Sequence, residues 1–221
     1  MSQKSMPFQL EICSQLPSEP KLGLPPLVFV HGAYMGAWCW QEHFLPYFSQ
    51  QGYRCYAVSL RGHGASQGRE ILDTVSMADY VDDLAQVVES LPQPPVLIGH
   101  SMGGLVVQYY LNRHTPAGAV LLASVPPYGQ LSSALRLALH EPGFFRELNM
   151  IQHVSPSCAT LDNIRRGLFS AGVSDDDLRR WLPLMQRESL RAIMDMSFSY
   201  LNPPKRRADI PVLVLGGEKD A

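Results

Sequence analysis

Short apolar segments alternate with longer segments of mixed polarity over the first half of the chain. Several of the short segments contain almost no polar residue, which is typical of strands buried on both faces of a parallel sheet. The segments are Phe8–Cys13, Leu27–Val30, Cys55–Leu60, Pro95–Ile98, Ala119–Ala123 and Pro211–Leu215. The pattern therefore predicts the strands of one mostly parallel sheet.

The segments between these strands have a helical pattern. In Ser76–Leu91 apolar residues recur at spacings of three and four, which indicates one buried face. Ser76 is predicted to cap this helix, with Asp79 three residues on as the partner in a capping box. Further helices are predicted over Trp38–Gln51 and Met102–His114. Alternation of strands and helices predicts an α/β fold with a doubly wound sheet.

The alternation stops after the predicted strand Ala119–Ala123. From Pro127 to Ala208 the sequence predicts only helices, interrupted by proline and glycine, and Ser174 before three aspartates predicts a helix start. A strand returns at Pro211. We therefore expect a core segment at 1–126, a helical lid insertion at 127–208, and a core strand with an acidic loop at 209–221.

Composition narrows the class of protein. The chain has 221 residues, of which 46% are apolar and 17% charged, and a net charge of −2. These values are typical of a folded globular protein without the basic surface that nucleic acid requires. No segment approaches the roughly 18 apolar residues of a membrane-spanning helix, and the first residues do not resemble a signal peptide. We expect a cytoplasmic protein with no integral membrane association.

The four cysteines are widely spaced and form no CxxC pair. They are Cys13, Cys39, Cys55 and Cys158. Three of them lie in or beside apolar segments, so buried free thiols are expected, and neither a disulfide framework nor a metal site is predicted. The sequence predicts no cofactor.

The strongest chemical signal is Gly99-His100-Ser101-Met102-Gly103, which lies between a predicted strand and a predicted helix. Glycines two positions before and after Ser101 allow close backbone approach, so the hydroxyl can project from a strained turn. The helix N-terminus, with the N–H of Met102, would stabilise an oxyanion formed there. A chance match in a glycine-rich turn is the alternative, but the flanking strand and helix favour Ser101 as a nucleophile.

The loop after the strand Leu27–Val30 is predicted to complete the oxyanion site. In a serine hydrolase with this kind of turn, that loop supplies the second N–H donor, for which Ala33 is the candidate. The preceding His31-Gly32 would shape the turn. Tyr34 and Trp38 are candidates for substrate binding in an acyl pocket, and packing in the core is the alternative for both.

Two further loops carry titratable residues. A tight structural loop is predicted for Arg61-Gly62-His63-Gly64-Ala65-Ser66. His63 is not expected to be the catalytic base, because it precedes the nucleophile whereas the base is expected after the acid. The last strand leads into Gly216-Gly217-Glu218-Lys219-Asp220. Asp220 is predicted to orient a histidine and to stabilise its cation, and Glu218 is the competing carboxylate.

At these four segments the chain resembles the α/β-hydrolase superfamily, in particular its lid-bearing esterase and lipase-like branch. The H-G, R-G-H-G, G-H-S-M-G-G and G-G-E-K-D elements occur in the order and spacing of that superfamily. The segment H-G-A-Y-M-G-A-W-C-W is also similar to plant methylesterases and hydroxynitrile lyases. The resemblance implies hydrolysis of carboxylic esters or thioesters through an acyl-Ser101 intermediate, with a small, apolar, ester-like substrate.

The superfamily pattern continues beyond the acid with a helix, a strand and a loop that bears the catalytic histidine. Here all seven histidines precede Asp220, so a truncated chain without that histidine, C-terminal strand and helix is expected. An inactive form or a ligand-binding protein on a hydrolase scaffold is one alternative. Cleavage of a carbon–carbon or amide bond is another. A nucleotide-binding Rossmann domain is disfavoured, because no G-x-G-x-x-G follows the first strand.

Overall fold

The computed structural model of the chain describes residues 8–153, 160–169, 172–205 and 209–217. Six strands within these ranges form one sheet. They are Glu11–Gln15 (β1), Leu27–Val30 (β2), Cys55–Ser59 (β3), Val96–His100 (β4), Gly118–Leu122 (β5) and Val212–Leu215 (β6). Their order across the sheet is β1-β3-β2-β4-β5-β6. Only β1 runs antiparallel to its neighbour, so the predicted mostly parallel sheet is confirmed.

The first strand differs from its predicted range. It covers Glu11–Gln15 instead of Phe8–Cys13, and it pairs with β3 so that Glu11 lies opposite Ser59. The Ser59 hydroxyl donates to the Glu11 carboxylate over 2.6 Å. The bounds of this edge strand follow its backbone pairing and this polar contact, whereas the prediction followed the apolar residues alone.

Helices cover both faces of the sheet. On one face Val28, Val30 and Leu97 pack with the helices Met77–Glu89 (α3) and Met102–Tyr110 (α4). On the other face Phe29 and Ile98 pack with Trp38–Gln41 (α1) and Phe44–Gln50 (α2). All four residues of the central strand β2 are buried as a result. The predicted doubly wound α/β arrangement is therefore present.

Of two helix predictions, one is confirmed and the other is wrong. The capping box of α3 is confirmed, because Ser76 Oγ accepts from the Asp79 N–H and the Asp79 carboxylate accepts from the Ser76 N–H over 2.8 Å. The single helix predicted over Trp38–Gln51 is wrong, since the chain forms two helices that separate before Phe44. Pro46 gives the reason: proline is tolerated in the first turn of α2 but would break a continuous helix.

The segment between β5 and β6 is helical in its described residues. Its α-helices are Leu131–His140 (α5), Pro142–His153 (α6), Leu161–Leu168 (α7), Asp175–Trp181 (α8) and Leu190–Ser197 (α9). The predicted start at Ser174 is confirmed, because its hydroxyl accepts from the Asp177 N–H at the first turn of α8. We refer to residues 127–208 as the insertion. It contains an apolar cluster built around Ile151, Ile164, Leu178 and Met185.

The strand β6 lies at one edge of the sheet. It pairs with β5 along its length, and its four residues are exposed to between 43% and 67%. The short helices α1 and α2 contact β3, and α2 also contacts β1 at the opposite edge of the sheet. Across the described residues, no helix is long and apolar enough to cross a membrane.

Candidate active site

Ser101 lies in the turn between β4 and α4 and has a strained backbone, with φ 49° and ψ −115°. Such a conformation costs a residue with a side chain about 1–3 kcal/mol, so neighbouring groups must hold it in place. The Ser101 N–H donates to the carbonyl oxygen of Leu122 over 3.0 Å. Its own carbonyl accepts from Gly104 and Val125 at 3.0 and 3.1 Å. The turn is thus held by its own helix and by the end of β5.

The three glycines around Ser101 lie where other residues would collide with backbone or side-chain atoms. A Cβ on Gly99 would lie 2.6 Å from the carbonyl carbon of Gly103, and one on Gly103 would lie 2.5 Å from the carbonyl oxygen of His31. A Cβ on Gly104 would lie 2.5 Å from the Cβ of Ser124. Close approach to three different segments therefore explains the glycines of the G-H-S-M-G-G element.

The loop after β2 lies against this turn. A Cβ on Gly32 would lie 2.9 Å from His100 Nδ1 and 3.2 Å from the Ser101 Cβ, which places the next residue, Ala33, beside the serine turn. In the described part of the chain, the backbone N–H groups of Ala33 and Met102 donate no hydrogen bond. The structure therefore brings together Ser101 and the two predicted N–H donors, and neither donor has a partner among the described residues.

His31 helps to fix the direction of one of these N–H groups, together with the Met35 N–H, which donates to the same Gly32 carbonyl over 3.4 Å. Its ring is fully buried, Nε2 accepts from the Leu60 N–H over 3.1 Å, and Nδ1 lies 2.8 Å from the Gly32 carbonyl oxygen. Nδ1 must then carry the proton that it donates to Gly32. Because the Gly32 carbonyl and the Ala33 N–H belong to one planar peptide unit, holding the carbonyl also orients the N–H.

The charge state of His31 supports this arrangement. Burial, and then the charge of nearby His63, lower the pKa of His31 to about 3. The ring centroids of the two histidines are 4.9 Å apart. A neutral ring has one donor and one acceptor nitrogen, which matches the two contacts of His31.

His63 is fully buried, and both of its ring nitrogens have polar partners. Its Nε2 lies 3.0 Å from the Glu188 carboxylate and its Nδ1 lies 3.2 Å from the Arg61 carbonyl oxygen. Burial opposes the charged form and is the largest single effect, but the charge of Glu188 and the hydrogen bonds to Glu188 and to the Arg61 carbonyl together outweigh it, so the pKa of His63 is raised. Burial likewise opposes ionisation of Glu188, but the charge of His63 and the hydrogen bonds from His63, Tyr80 and the Ser189 N–H together lower the pKa of that carboxyl. Sequence reasoning missed Glu188, because nothing in the local pattern at 186–189 indicates a partner 125 residues away.

Tyr34 and Trp38 pack against the apolar cluster of the insertion. Tyr34 has a left-handed backbone with φ 68°, and its carbonyl accepts from the Gln186 N–H over 3.0 Å. The indole N–H of Trp38 is buried and has no hydrogen-bond partner within the described residues. The predicted acids Asp220 and Glu218 lie outside the described residues.

Two further features of the described residues concern metal binding and free thiols. They contain no group of three or more His, Cys, Asp or Glu side chains arranged to hold a metal ion. Cys13, Cys39 and Cys55 are free thiols, but only Cys55 is buried, so the expectation of three buried thiols is wrong. Cys13 lies on the edge strand β1, where it is half-buried against the cluster that contains Phe29. Cys158 lies outside the described residues.

One surface cavity lies apart from the serine turn. It has a volume of about 530 Å³ and runs along α2. None of Ser101, Ala33, Tyr34 and Trp38 lines it. Its lining residues are Glu42, His43, Phe44, Tyr47, Phe48 and Gln50.

The fold and the site together define a class of protein. It is a doubly wound α/β protein with a strained serine between a central strand and the helix that follows it. The model of the alpha/beta hydrolase family matches residues 27–221. This match covers most of the chain, and the chain belongs to the alpha/beta hydrolase family.

Individual relatives agree with this assignment. The chain is 31% identical over 211 residues to the bifunctional esterase/perhydrolase DCH of Acinetobacter calcoaceticus. This match covers 89% of this chain and 74% of that protein. It is 42% identical over 81 residues to methylesterase 3 of Arabidopsis thaliana, covering 36% of this chain and 30% of that protein. Among solved structures, it is similar in fold to a probable hydrolytic enzyme from Pseudomonas aeruginosa PAO1, with 20% identity and a TM-score of 0.69 over 100% of this chain and 72% of the other.

Proposed function

We propose that this protein is a serine hydrolase that cleaves carboxylic esters or thioesters through an acyl intermediate on Ser101. The observation that carries the proposal is the strained backbone of Ser101 at the start of α4. Strain of this kind is retained where it presents a reacting group. Membership of the alpha/beta hydrolase family and similarity to an esterase/perhydrolase support the same chemistry.

In the proposed reaction the Ser101 hydroxyl attacks the carbonyl carbon and the carbonyl oxygen becomes an oxyanion. The free N–H groups of Ala33 and Met102 would hold that oxyanion, and the N-terminus of α4 adds a favourable dipole. The leaving alcohol or thiol departs, and water then releases the acyl group from Ser101. The base that takes the hydroxyl proton and returns it to the leaving group is proposed to be a histidine oriented by Asp220, in the manner of a catalytic triad, and none of the seven histidines of this sequence follows Asp220.

The substrate is proposed to be a small ester with an apolar acyl group. Tyr34 and Trp38 are proposed to contact it, since both belong to the segment that follows β2 and pack against the apolar cluster of the insertion.

The test is covalent labelling with a fluorophosphonate, followed by identification of the labelled residue by mass spectrometry. We expect Ser101 to be labelled only slowly in this sequence, whose seven histidines all precede Asp220, and Ser101→Ala to be unlabelled while it remains folded. A p-nitrophenyl ester series of increasing acyl length then measures hydrolysis and chain-length preference. Labelling that persists in Ser101→Ala, or ester hydrolysis that survives this substitution, would contradict the proposed role of Ser101.

A second candidate is a ligand-binding protein that retains the hydrolase scaffold. One observation favours it: His31 and His63, on the loops nearest the serine turn, are fully buried and use both ring nitrogens in other contacts. Neither is free to take the proton of Ser101. This candidate predicts no labelling and no turnover, together with a rise in melting temperature when an apolar ester is added.

A further inference from the structure

One short piece of the insertion, Gln186–Ser189, lies between the two loops that follow β2 and β3. The Gln186 N–H donates to the Tyr34 carbonyl over 3.0 Å. The side-chain amide of Gln186 donates to the Gly62 carbonyl over 2.8 Å and accepts from the Gly64 N–H over 2.9 Å. A single segment thus binds the loop of Ala33 and the loop of His63. We call this segment the clamp.

Glu188 is the buried centre of the clamp. Its carboxylate accepts from the Tyr80 hydroxyl at 2.6 Å and from the Ser189 N–H at 2.7 Å, and it lies 3.0 Å from His63 Nε2. The backbone of Glu188 is itself held by the side-chain amide of Gln152 at 2.6 and 3.0 Å. A carboxylate without any exposed surface needs such a set of partners, because burying an unpaired charge is very unfavourable.

A path of contacts leads from Glu188 to the predicted oxyanion donor. His63 lies between two acceptors, the Glu188 carboxylate and the Arg61 carbonyl, so both of its nitrogens donate when the ring is protonated. The fixed ring of His63 packs beside His31, with centroids 4.9 Å apart. His31 in turn holds the peptide unit that contains the Ala33 N–H.

We infer that Glu188 is a positioning residue which, through His63 and His31, holds the Gly32–Ala33 peptide in the orientation that an oxyanion requires. This inference rests on the proposed function, because the Ala33 N–H matters for catalysis only if an oxyanion forms. It assigns a catalytic consequence to a residue of the insertion that does not itself contact the reacting atoms. Misplacing a group in an active site by about 1 Å lowers the rate by up to about 100-fold.

The test uses the full chain and three variants. Glu188→Ala removes the contact to His63, whereas Glu188→Gln retains it without charge, since the amide oxygen still accepts from Tyr80 and the NH₂ group donates to His63. Arg187→Gln is the matched control, because the adjacent Arg187 joins the insertion to Asp73 by a half-exposed ion pair that touches neither loop. Hydrogen exchange of the backbone amides at 31–36 and steady-state kinetics on a p-nitrophenyl ester are measured for each variant.

We expect Glu188→Ala to speed exchange at 31–36 and to lower kcat by about 10- to 100-fold, with KM within about threefold of the parent. Glu188→Gln should restore both readouts to near the parent values, and Arg187→Gln should change neither. The inference is overturned if exchange and kcat in Glu188→Ala equal those of Arg187→Gln. If the parent chain hydrolyses no ester, the proposed function fails, whereas hydrogen exchange still decides whether Glu188 holds the peptide.

A folding defect is separated from a positioning defect by a double variant. Replacing a buried ion pair by apolar residues of similar size often preserves stability. His63→Leu/Glu188→Met should therefore fold even if Glu188→Ala does not. We expect this double variant to retain a cooperative unfolding transition but to show fast exchange at 31–36 and low kcat. Parent-level exchange and kcat in the double variant would show that packing alone holds the peptide, and would overturn the inference.

Discussion

The Nδ1 atom of His31 lies 2.8 Å from the carbonyl oxygen of Gly32, and this contact ties the charge state of a buried ring to the direction of the Ala33 N–H. The contact requires a proton on Nδ1, while the bond from the Leu60 N–H requires a lone pair on Nε2. Protonation of Nε2 would break the second bond. The neutral form of His31 is therefore the form that the native structure selects.

Acid should destabilise the protein through His31. Its pKa is lowered to about 3 in the native state by burial and by the charge of His63, whereas an unfolded histidine has a pKa of about 6.5. Between these values the unfolded chain binds a proton that the native chain does not. The contribution of His31 to stability is thus lost as pH falls through this window, by about 1.4 kcal/mol per pH unit. Urea unfolding from pH 4 to 8 should show a smaller pH slope for His31→Asn, and equal slopes would contradict the prediction.

Relieving the strain at Ser101 should stabilise the fold while removing activity. Ser101→Gly places the residue best suited to a positive φ at 49°, and we expect it to be about 1 kcal/mol more stable than Ser101→Ala, which keeps the Cβ. Both variants lack the nucleophile, so both should be unlabelled by the fluorophosphonate. Thermal unfolding compares the two proteins directly. Equal melting temperatures would show that the turn at Ser101 stores no strain.

Gly103→Ala should be among the most destabilising single-methyl additions in this chain. The added Cβ would overlap the carbonyl oxygens of Val30 and His31, which are backbone atoms and cannot move without shifting the strand. We expect a loss of about 3 kcal/mol in the free energy of unfolding. Gly172→Ala is the control, since no atom of the described residues beyond its chain neighbours lies within 4 Å of its added Cβ. Similar urea midpoints for the two variants would argue against the close contact between α4 and β2.

Removing Asp83 should destabilise the loop that carries His63. The Asp83 side chain is fully buried, and Arg61 donates to it from the backbone N–H and from Nε, each over 2.8 Å. Asp83→Ala leaves the Arg61 guanidinium without its buried partner, which costs about 3–5 kcal/mol. The exposed neighbour provides the control: Asp82→Ala should change stability by less than about 0.5 kcal/mol. Chemical denaturation measures both, and comparable losses would contradict the prediction.

Much of the fold follows from local pattern. The apolar runs at β2 and β4 place those strands correctly, because continuous apolar sequence has few alternatives to a doubly covered strand. The capping box at Ser76 is equally local, since its partners are three residues apart. Pro46, in the first turn of α2, is a local sign that a new helix begins there. The prediction of a single helix over Trp38–Gln51 followed the apolar pattern instead of this proline.

For the candidate site, the sequence by itself determined the serine turn and the glycines around it, because their chemistry depends on residues within a few positions of Ser101. Only the tertiary structure decided that Glu188 and His63 form a buried pair, and that His31 orients the peptide of Ala33. Buried polar groups must find partners, but which partner each finds depends on how the chain brings distant segments together. No local periodicity records that choice, so the link from the insertion to the serine turn became visible only in the fold.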